Sequence, residues 1–291
     1  MRRTGEIEEF TNLYFIHPLG GRLVPLFARL HVTPNAVSLT GLAFGALAGA
    51  AYYHYQSTVW CITGFVLMIA WHVMDGADGQ LARFTHSQSH FGKVLDGMSD
   101  TATFLAVYTA LALALGREHG ERMYLLVIAA AACHLIQAAT YEAQRQEYDR
   151  WGWGRRSPQP EPAAAGAAPV GPGILAKLDR LYYVGLSFPA AGVSERIRAA
   201  MSTALQSHPE NEALIRERYR QTFAPLLRRW SLLSSNYHTL GIFLCALLEA
   251  PQYYFWFTLI GFNAILLWLI YRLGERCAAL PGILDAAPSA A

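Results

Sequence analysis

Six apolar windows, each about as long as a bilayer-spanning helix, restrict this chain to a membrane architecture. A transmembrane helix needs roughly 20 predominantly apolar residues, and 53% of the 291 residues are hydrophobic. We therefore expect an all-α integral membrane protein with six transmembrane helices, and the composition excludes a soluble enzyme. The predicted spans are Asn35–Tyr55, Val59–Arg83, Leu95–Gly116, Met123–Ala143, Ser231–Ala250 and Gln252–Tyr271.

The placement of basic residues predicts the orientation of these spans. With the N-terminus on the cytoplasmic side, the short outer loops hold two of the 23 Lys and Arg residues, Arg117 and Arg122. The remaining 21 fall on segments placed inside, and 13 of them lie between Glu142 and Trp230. This asymmetry follows the positive-inside rule. We expect both termini on the cytoplasmic side of the membrane, which in a bacterium is the cytoplasmic or inner membrane.

The segments outside the spans differ in composition. Apolar residues recur at helical spacing from Phe10 to Leu30, which predicts an N-terminal interfacial amphipathic helix. Packing of that helix on its own bundle is a compatible alternative. A Pro/Ala/Gly-rich stretch in the cytoplasmic loop is predicted to be disordered and to be followed by short amphipathic helices. The regions are 1–34 (interfacial helix), 35–143 (four spans), 144–230 (loop, disordered over 151–173), 231–272 (two spans) and 273–291 (cytoplasmic tail).

Two further features belong to the first span. Gly41, Gly45 and Gly49 form a ridge of small residues, which predicts a close helix–helix contact, inside the bundle or between subunits. At its start, Pro34 suits a first helical turn, and Thr33 or Asn35 can cap the helix.

Four aspartates lie within 26 residues near the ends of the second and third spans. The string reads Asp75-Gly-Ala-Asp78-Gly79-Gln-Leu-Ala82-Arg83, and Gly92, Asp96 and Asp100 follow. An ionised carboxylate at membrane depth costs roughly 2.5–3.5 kcal/mol even on the lenient insertion scale. Four such groups need a compensating charge, and a bound divalent cation supplies it.

The spacing places the first five of these residues on one side of a helix. Asp75, Asp78, Gly79, Ala82 and Arg83 stand at offsets 0, 3, 4, 7 and 8, which share a helical face. The two small residues leave a trough in which a ligand approaches the backbone. This face therefore combines acids, a base and room for a ligand.

The next span continues the pattern. Gly92, Asp96 and Asp100 are four residues apart and share a face. Because the link 85–90 is short and polar, the two helices should be antiparallel neighbours whose acidic faces meet at the cytoplasmic end. Four converging carboxylates suit one or two Mg²⁺ or Mn²⁺ ions, and a nearby guanidinium suits a phosphate. The combination indicates phosphoryl transfer.

These residues carry a resemblance. The string D-x-x-D-G-x-x-A-R-x8-G-x3-D-x3-D resembles the signature of the CDP-alcohol phosphotransferases, the CDP-alcohol phosphatidyltransferase family, and every fixed position matches. The six-span plan, the Thr-Pro-Asn start of the first span and the interfacial helix are also similar. The resemblance implies a divalent-metal-dependent transferase of substituted phosphate groups that makes phospholipid, releases CMP and forms a homodimer.

The resemblance also implies a role for each residue of the string. Asp75, Asp78 and Asp96 would be ligands of two divalent metal ions, Mg²⁺ or Mn²⁺. Asp100 would contribute to the second metal and act as the general base that takes the proton from the attacking alcohol. The remaining positions would shape the CDP site, with Arg83 reaching the diphosphate: Gly79, Ala82, Arg83 and Gly92.

Several substrates and functions stay open at this point. The donor is CDP-diacylglycerol with a soluble alcohol as acceptor, or CDP-choline or CDP-ethanolamine with a lipid hydroxyl as acceptor. The first pair is favoured, because many arginines lie on the inner face. More distant alternatives are a membrane prenyltransferase, whose acids are usually closer together, and a divalent-cation transporter, whose acids should spread over several spans. No nucleic-acid partner is expected.

Other polar side chains at membrane depth are candidates for the alcohol pocket. The alternative is that they join helices by hydrogen bonds, as intramembrane polar residues commonly do. They are His72, His134, Gln137, Tyr141, Asn236 and His238.

Overall fold

The computed structural model describes residues 5–155 and 188–285. Every regular element in these ranges is helical, and none is a strand. The α-helices are α1 (His17–Arg29), α2 (Pro34–Tyr52), α3 (Thr58–Phe84), α4 (His90–His119), α5 (Arg122–Trp153), α6 (Ala191–Ser207), α7 (Glu212–Trp230), α8 (Ser235–Leu247), α9 (Gln252–Phe257) and α10 (Asn263–Asp285). Short π-helical segments precede α1 and α10, at Asn12–Ile16 and Thr258–Phe262.

The described residues fall into two compact units. The first comprises Glu9–Cys133 and Ser235–Gly261, and it contains α1 to α4, α8 and α9. The second comprises residues 5–8, 134–155, 188–234 and 262–285, and it contains α6, α7 and α10. The aspartate string belongs entirely to the first unit.

Five stretches of helix in the described residues are long and apolar enough to cross a membrane. They are Pro34–Tyr52, Thr58–Phe84, Leu95–His119, Arg122–Trp153 and Gln252–Leu284. Large apolar side chains are exposed along them, among them Val59, Leu105 and Leu125, which suits a lipid-facing surface. These five match five of the six predicted spans.

The remaining predicted span, Ser231–Ala250, contains a shorter helix. Its α-helical part is α8, which has 13 residues. At 1.5 Å per residue this helix is about 20 Å long, whereas the hydrocarbon core is about 30 Å thick. A 3₁₀ turn at Ser231–Leu233 precedes it. The count of six therefore stays a prediction, and the described residues contain five candidate spans.

Helix α2 begins with a capping threonine followed by a proline. Thr33 is in extended backbone and its hydroxyl accepts a hydrogen bond from the Ala36 amide at 3.3 Å, while Pro34 occupies the first helical position, where a missing N–H has no cost. Of the two candidate capping residues, Thr33 and Asn35, Thr33 is therefore the one that caps the helix.

The glycine ridge of α2 packs inside the first unit. A Cβ atom on Gly49 would lie 2.9 Å from the backbone of Ala106 in α4, and one on Gly45 would clash with the side chain of Thr103. A Cβ on Gly41 would lie 3.2 Å from the Cβ of Met74 in α3. Because two helix backbones approach so closely only where side chains are absent, the ridge fixes α2 against α3 and α4.

Helix α1 packs against the side of α3 that carries Ala77 and Gln80. A Cβ on Gly20 would come within 3.2 Å of the Ala77 backbone, and the Gln80 amide donates to the carbonyl of His17 at 3.2 Å. Val24 and Val37 complete a buried apolar cluster with Ala77 and Leu81 of α3. The opposite side of α1 exposes Leu19, Leu26 and the following Leu30.

In the second unit, α5 extends ten residues beyond the predicted end of the fourth span. Residues 151–153, which the sequence assigned to a disordered stretch, are the last residues of this helix. The physical reason is capping: Arg216 donates to the carbonyls of Arg150 and Trp151, and Arg220 to that of Gly152. These donors satisfy terminal carbonyls that otherwise lack partners. Gly154 and Arg155 follow without regular secondary structure, and 156–173 lies outside the described residues.

Two helices follow in this unit where short amphipathic helices were predicted, α6 and α7. Helix α10 continues through Asp285, well past Tyr271, where the last span was predicted to end, so the start of the predicted tail is helical. Residues 286–291 lie outside the described residues.

Candidate active site

The acidic face of α3 forms as the spacing predicts. Asp75, Asp78, Gly79, Ala82 and Arg83 lie within one uninterrupted helix that ends at Phe84. Asp78 is buried, at 5% exposure, while the other four are partly buried. The face thus presents its charged groups from a rigid element.

Helix α4 brings the second pair of acids to the same place. Ser89 caps this helix by accepting a hydrogen bond from the Gly92 amide at 2.9 Å, and Asp96 and Asp100 follow on its first turns. One oxygen each from Asp75, Asp78 and Asp96 lie within 4.8 Å of one another. Two oxygens on opposite sides of a Mg²⁺ ion are about 4 Å apart, so this spacing suits a small divalent cation.

Asp100 lies beside the other three acids. It lies close enough to Asp75, Asp96 and Asp78 for their charges to act on it. Its Oδ1 atom is buried and has no hydrogen-bond partner among the residues that the structure describes. A buried carboxylate oxygen without a partner is costly. The donor set, all carboxylate oxygen with one acceptor atom unsatisfied, therefore fits a hard cation such as Mg²⁺ or Mn²⁺.

The remaining residues of the string flank this cluster on their own helices. A Cβ on Gly79 would meet the Arg83 guanidinium at 3.4 Å, so the missing side chain leaves room for that group. A Cβ on Gly92 would lie 3.1 Å from the Ser89 hydroxyl and 3.4 Å from the Asn35 side-chain oxygen. Ala82 is partly buried on the turn above Gly79. Since the Gly92 amide already donates to Ser89, Gly92 contributes space rather than a free donor.

The structure adds two residues that the sequence reasoning missed. Ser38 of α2 donates a hydrogen bond from its hydroxyl to Oδ2 of Asp78. Ser99 of α4 donates to the backbone carbonyl of Ser38 at 3.4 Å. The only local signal for Ser38 was its place one turn after the Thr-Pro-Asn start, and nothing in the spacing linked it to Asp78.

Most of the candidate pocket residues bind other helices. His72 hydrogen-bonds to Thr239 of α8 at 2.9 Å. His238 bonds to the Tyr254 hydroxyl at 2.8 Å, which in turn bonds to that of Tyr108 at 2.5 Å. These buried contacts support the alternative in which polar side chains join helices.

Two of the other candidate pocket residues, Asn236 and Gln137, also hydrogen-bond to distant segments of the chain. In the first unit, the Asn236 amide donates to Glu9 at 2.7 Å. In the second, Gln137 donates to Asn263 at 2.8 Å. His134 is buried, and Tyr141, two turns further along the same face of α5, is partly buried. Their part in an alcohol pocket stays a prediction.

Comparison with known proteins agrees with the string. A family model described as CDP-alcohol phosphatidyltransferase matches residues 31–184, just over half of the chain. An uncharacterized protein of Aquifex aeolicus (strain VF5) is 32% identical over 89 residues. That alignment covers 31% of this chain and 43% of the relative, so the chain spans less than half of the relative's length.

Proposed function

Because the chain belongs to the CDP-alcohol phosphatidyltransferase family, we propose that it is a membrane transferase that synthesises phospholipid. Members of this family transfer a substituted phosphate group from a CDP-alcohol to the hydroxyl of an alcohol acceptor. The observation that carries the proposal is the convergence of Asp75, Asp78 and Asp96 within 4.8 Å. A cluster of this charge holds a divalent cation beside a diphosphate.

The three clustered carboxylates are the metal ligands of this proposal, and Asp100 contributes to a second ion. Bound Mg²⁺ or Mn²⁺ would neutralise charge on the diphosphate and make CMP a better leaving group. The buried Oδ1 of Asp100, which lacks a partner, supports its part in this set. The carboxylate oxygens of these four side chains are ligands that suit Mg²⁺ or Mn²⁺.

The chain's own residues then position the reactants and move a proton. The acceptor oxygen attacks the phosphorus on the alcohol side of the diphosphate, and the bond from that phosphorus to the bridging oxygen breaks, so that CMP leaves. Asp100 accepts the hydroxyl proton as general base. Arg83 binds diphosphate oxygens with paired N–H donors. Gly79, Ala82 and Gly92 admit the nucleotide close to the helix backbones.

The donor we propose is CDP-diacylglycerol, which transfers a phosphatidyl group to a soluble alcohol. The excess of basic residues between Glu142 and Trp230 supports an anionic acceptor such as an alcohol phosphate. The alternative is a CDP-choline or CDP-ethanolamine donor acting on a lipid hydroxyl. The aspartate string serves both reactions, so the acceptor is decided by experiment.

The membrane arrangement is part of the same proposal. Both termini and the aspartate cluster lie on the cytoplasmic side, in accord with the distribution of basic residues. Helix α1 lies in the inner interface, where its exposed Leu19, Leu26 and adjacent Leu30 contact lipid. The working enzyme is a homodimer.

The test is CMP release by the purified protein in lipid micelles with Mg²⁺ or Mn²⁺. CDP-diacylglycerol is offered with a panel of soluble alcohols, including inositol phosphate, glycerol phosphate and serine. CDP-choline and CDP-ethanolamine are offered with diacylglycerol. Asp100→Asn is the inactive control, and Asp149→Asn, in an ion pair with Arg155, is the matched control.

Each outcome decides between the alternatives. Release that needs one donor–acceptor pair and is lost in Asp100→Asn supports the proposal and identifies the substrate. Release with CDP-choline or CDP-ethanolamine alone replaces the phosphatidyl version by its alternative. No release from any pair, by folded protein with metal bound, contradicts the proposal and favours prenyl transfer or cation transport.

A further inference from the structure

Ser38 of α2 touches the most buried acid of the cluster. Its hydroxyl donates to Oδ2 of Asp78, and both side chains are only 5% exposed. Asp75 and Asp96 are partly buried instead. Asp78 is therefore the carboxylate least able to use water to fix its orientation, and a hydroxyl from another helix takes that place.

The hydroxyl of Ser38 has one proton and two acceptors in reach. The second acceptor is the carbonyl of Pro34, one turn earlier in α2, at 3.2 Å. Serine in a helix commonly bonds back to that carbonyl. The contact to Asp78 is closer, and a hydrogen bond to an ionised carboxylate is roughly twice as strong as one to a neutral carbonyl. The proton therefore goes to Asp78.

The backbone of Ser38 contacts the other acidic helix. Its carbonyl accepts a hydrogen bond from Ser99 of α4 at 3.4 Å, and Ser99 lies between Asp96 and Asp100 in the sequence. One residue of α2 thus bonds to α3 through its side chain and to α4 through its main chain. Gly41, Gly45 and Gly49 hold α2 close enough for both contacts.

We propose that Ser38 is a positioning residue that fixes the Asp78 carboxylate for the divalent cation. A carboxylate oxygen has two lone pairs, so the hydrogen bond from Ser38 orients the group and leaves acceptor sites for a metal. Groups that orient metal ligands in this way typically contribute 10–100-fold to metal affinity. The inference rests on the metal site of the proposed function and adds a residue outside the aspartate string.

The test is Mn²⁺ binding to the purified protein in micelles without substrate, followed by electron paramagnetic resonance. We expect Ser38→Ala to weaken Mn²⁺ binding by about 10-fold or more. Ser38→Thr keeps the hydroxyl and should bind within about 3-fold of the unaltered protein, a difference of less than 1 kcal/mol. Thr40→Ala is the matched control, because Thr40 is exposed and its hydroxyl donates to the Ala36 carbonyl of its own helix.

A double-mutant cycle separates orientation from a general effect on the helix. If Ser38 acts through Asp78, Ser38→Ala should cause no further loss of Mn²⁺ affinity in an Asp78→Asn background. In activity assays, Ser38→Ala should raise the Mn²⁺ concentration needed for half-maximal CMP release more than it lowers the maximal rate. Ser38→Cys, a weaker donor, should fall between Ser and Ala, and it replaces Ser38→Ala in the series should the alanine variant not fold.

The outcomes distinguish this role from the metal site itself. Unchanged Mn²⁺ affinity in folded Ser38→Ala, or equal losses in the Ala and Thr variants, would overturn the positioning role while leaving the metal site in place. Absence of Mn²⁺ binding in the unaltered protein would overturn the metal site of the proposed function. An additive loss in the Asp78→Asn background would show that Ser38 acts by another route.

Discussion

At the scale of single residues, the acids of the string differ in their surroundings and so in their expected roles. Asp78 is buried and held by Ser38, whereas Asp100 has a buried oxygen without a partner. An oriented carboxylate suits a ligand, and an unsatisfied one suits a group that accepts a proton or completes a metal shell. Two predictions belong to this scale, one for Asp100 and one for Arg83.

The first concerns Asp100. Asp100→Asn should lower the rate constant of CMP release by about 10²–10⁴-fold, the usual contribution of a general base, because an amide accepts no proton at neutral pH. Steady-state release with saturating donor and acceptor measures this. A fall of less than about 3-fold, well below that range, would exclude Asp100 as the base.

The second concerns Arg83. Arg83→Lys keeps the charge but loses the paired donors that match a diphosphate, so the KM for the CDP donor should rise by about 10-fold, as loss of one charge-assisted hydrogen bond predicts. Titration of the donor at fixed acceptor gives this value. Arg272→Lys, in an exposed pair with Glu275, is the control and should leave KM unchanged. Equal KM values in the unaltered protein, Arg83→Lys and Arg272→Lys would argue against a contact between Arg83 and the diphosphate.

At the scale of helices, close backbone approach around α2 sets the geometry of the site. The glycine ridge lets α2 contact both acidic helices, and Gly20 lets α1 pack against the side of α3 that carries Ala77. The acidic face is therefore supported from two sides. The helices pack so closely at these glycines that adding a single methyl group should change the stability of the protein.

Gly49→Ala tests this support. The added Cβ would stand 2.9 Å from the Ala106 backbone, which cannot move aside as a flexible side chain does, so we expect a loss of about 1–3 kcal/mol in stability. Thermal unfolding in micelles measures it. Gly274→Ala, with nothing within 4 Å of the new methyl group, is the matched control. A melting temperature for Gly49→Ala equal to that of the control would contradict the packing.

The helices also show what the sequence could predict. Long apolar runs with polar links gave α2, α3 and α4 and their antiparallel order, since those signals are local. The extension of α5 to Trp153 was missed because its caps, Arg216 and Arg220, come from about 65 residues further along the chain. Ser38 was missed for the same reason: its bond to Asp78 joins residues 40 apart, and no spacing rule encodes it.

At the scale of the whole chain, the candidate reactive groups lie at one end of the apolar helices α3 and α4. The aspartates lie near the α3–α4 link, and the α2–α3 link lies at the other end of α3. In the proposed orientation, with both termini inside, the α3–α4 link would face the cytoplasm and the α2–α3 link would face outward. Both termini lie on one side only if the number of spans is even. This orientation therefore needs the sixth predicted span besides the five candidates among the described residues.

Cysteine labelling tests the orientation with a matched pair of exposed serines. In a background where the four native cysteines are replaced, Ser57→Cys in the α2–α3 link should react with a membrane-impermeant maleimide in intact cells. Ser87→Cys in the α3–α4 link should react only after permeabilisation. Both serines are exposed, so access rather than burial decides the result. The reverse pattern would place the aspartates on the outer side.

The most direct test of the central claim is the metal dependence of CMP release from CDP-diacylglycerol by the purified protein. We predict that release stops when a chelator removes divalent ions and returns on addition of Mg²⁺ or Mn²⁺. Release by Asp96→Asn, which removes one carboxylate of the cluster, should not recover at the same metal concentration. Full release in the presence of the chelator, or full recovery in Asp96→Asn, would contradict a divalent cation held by these carboxylates.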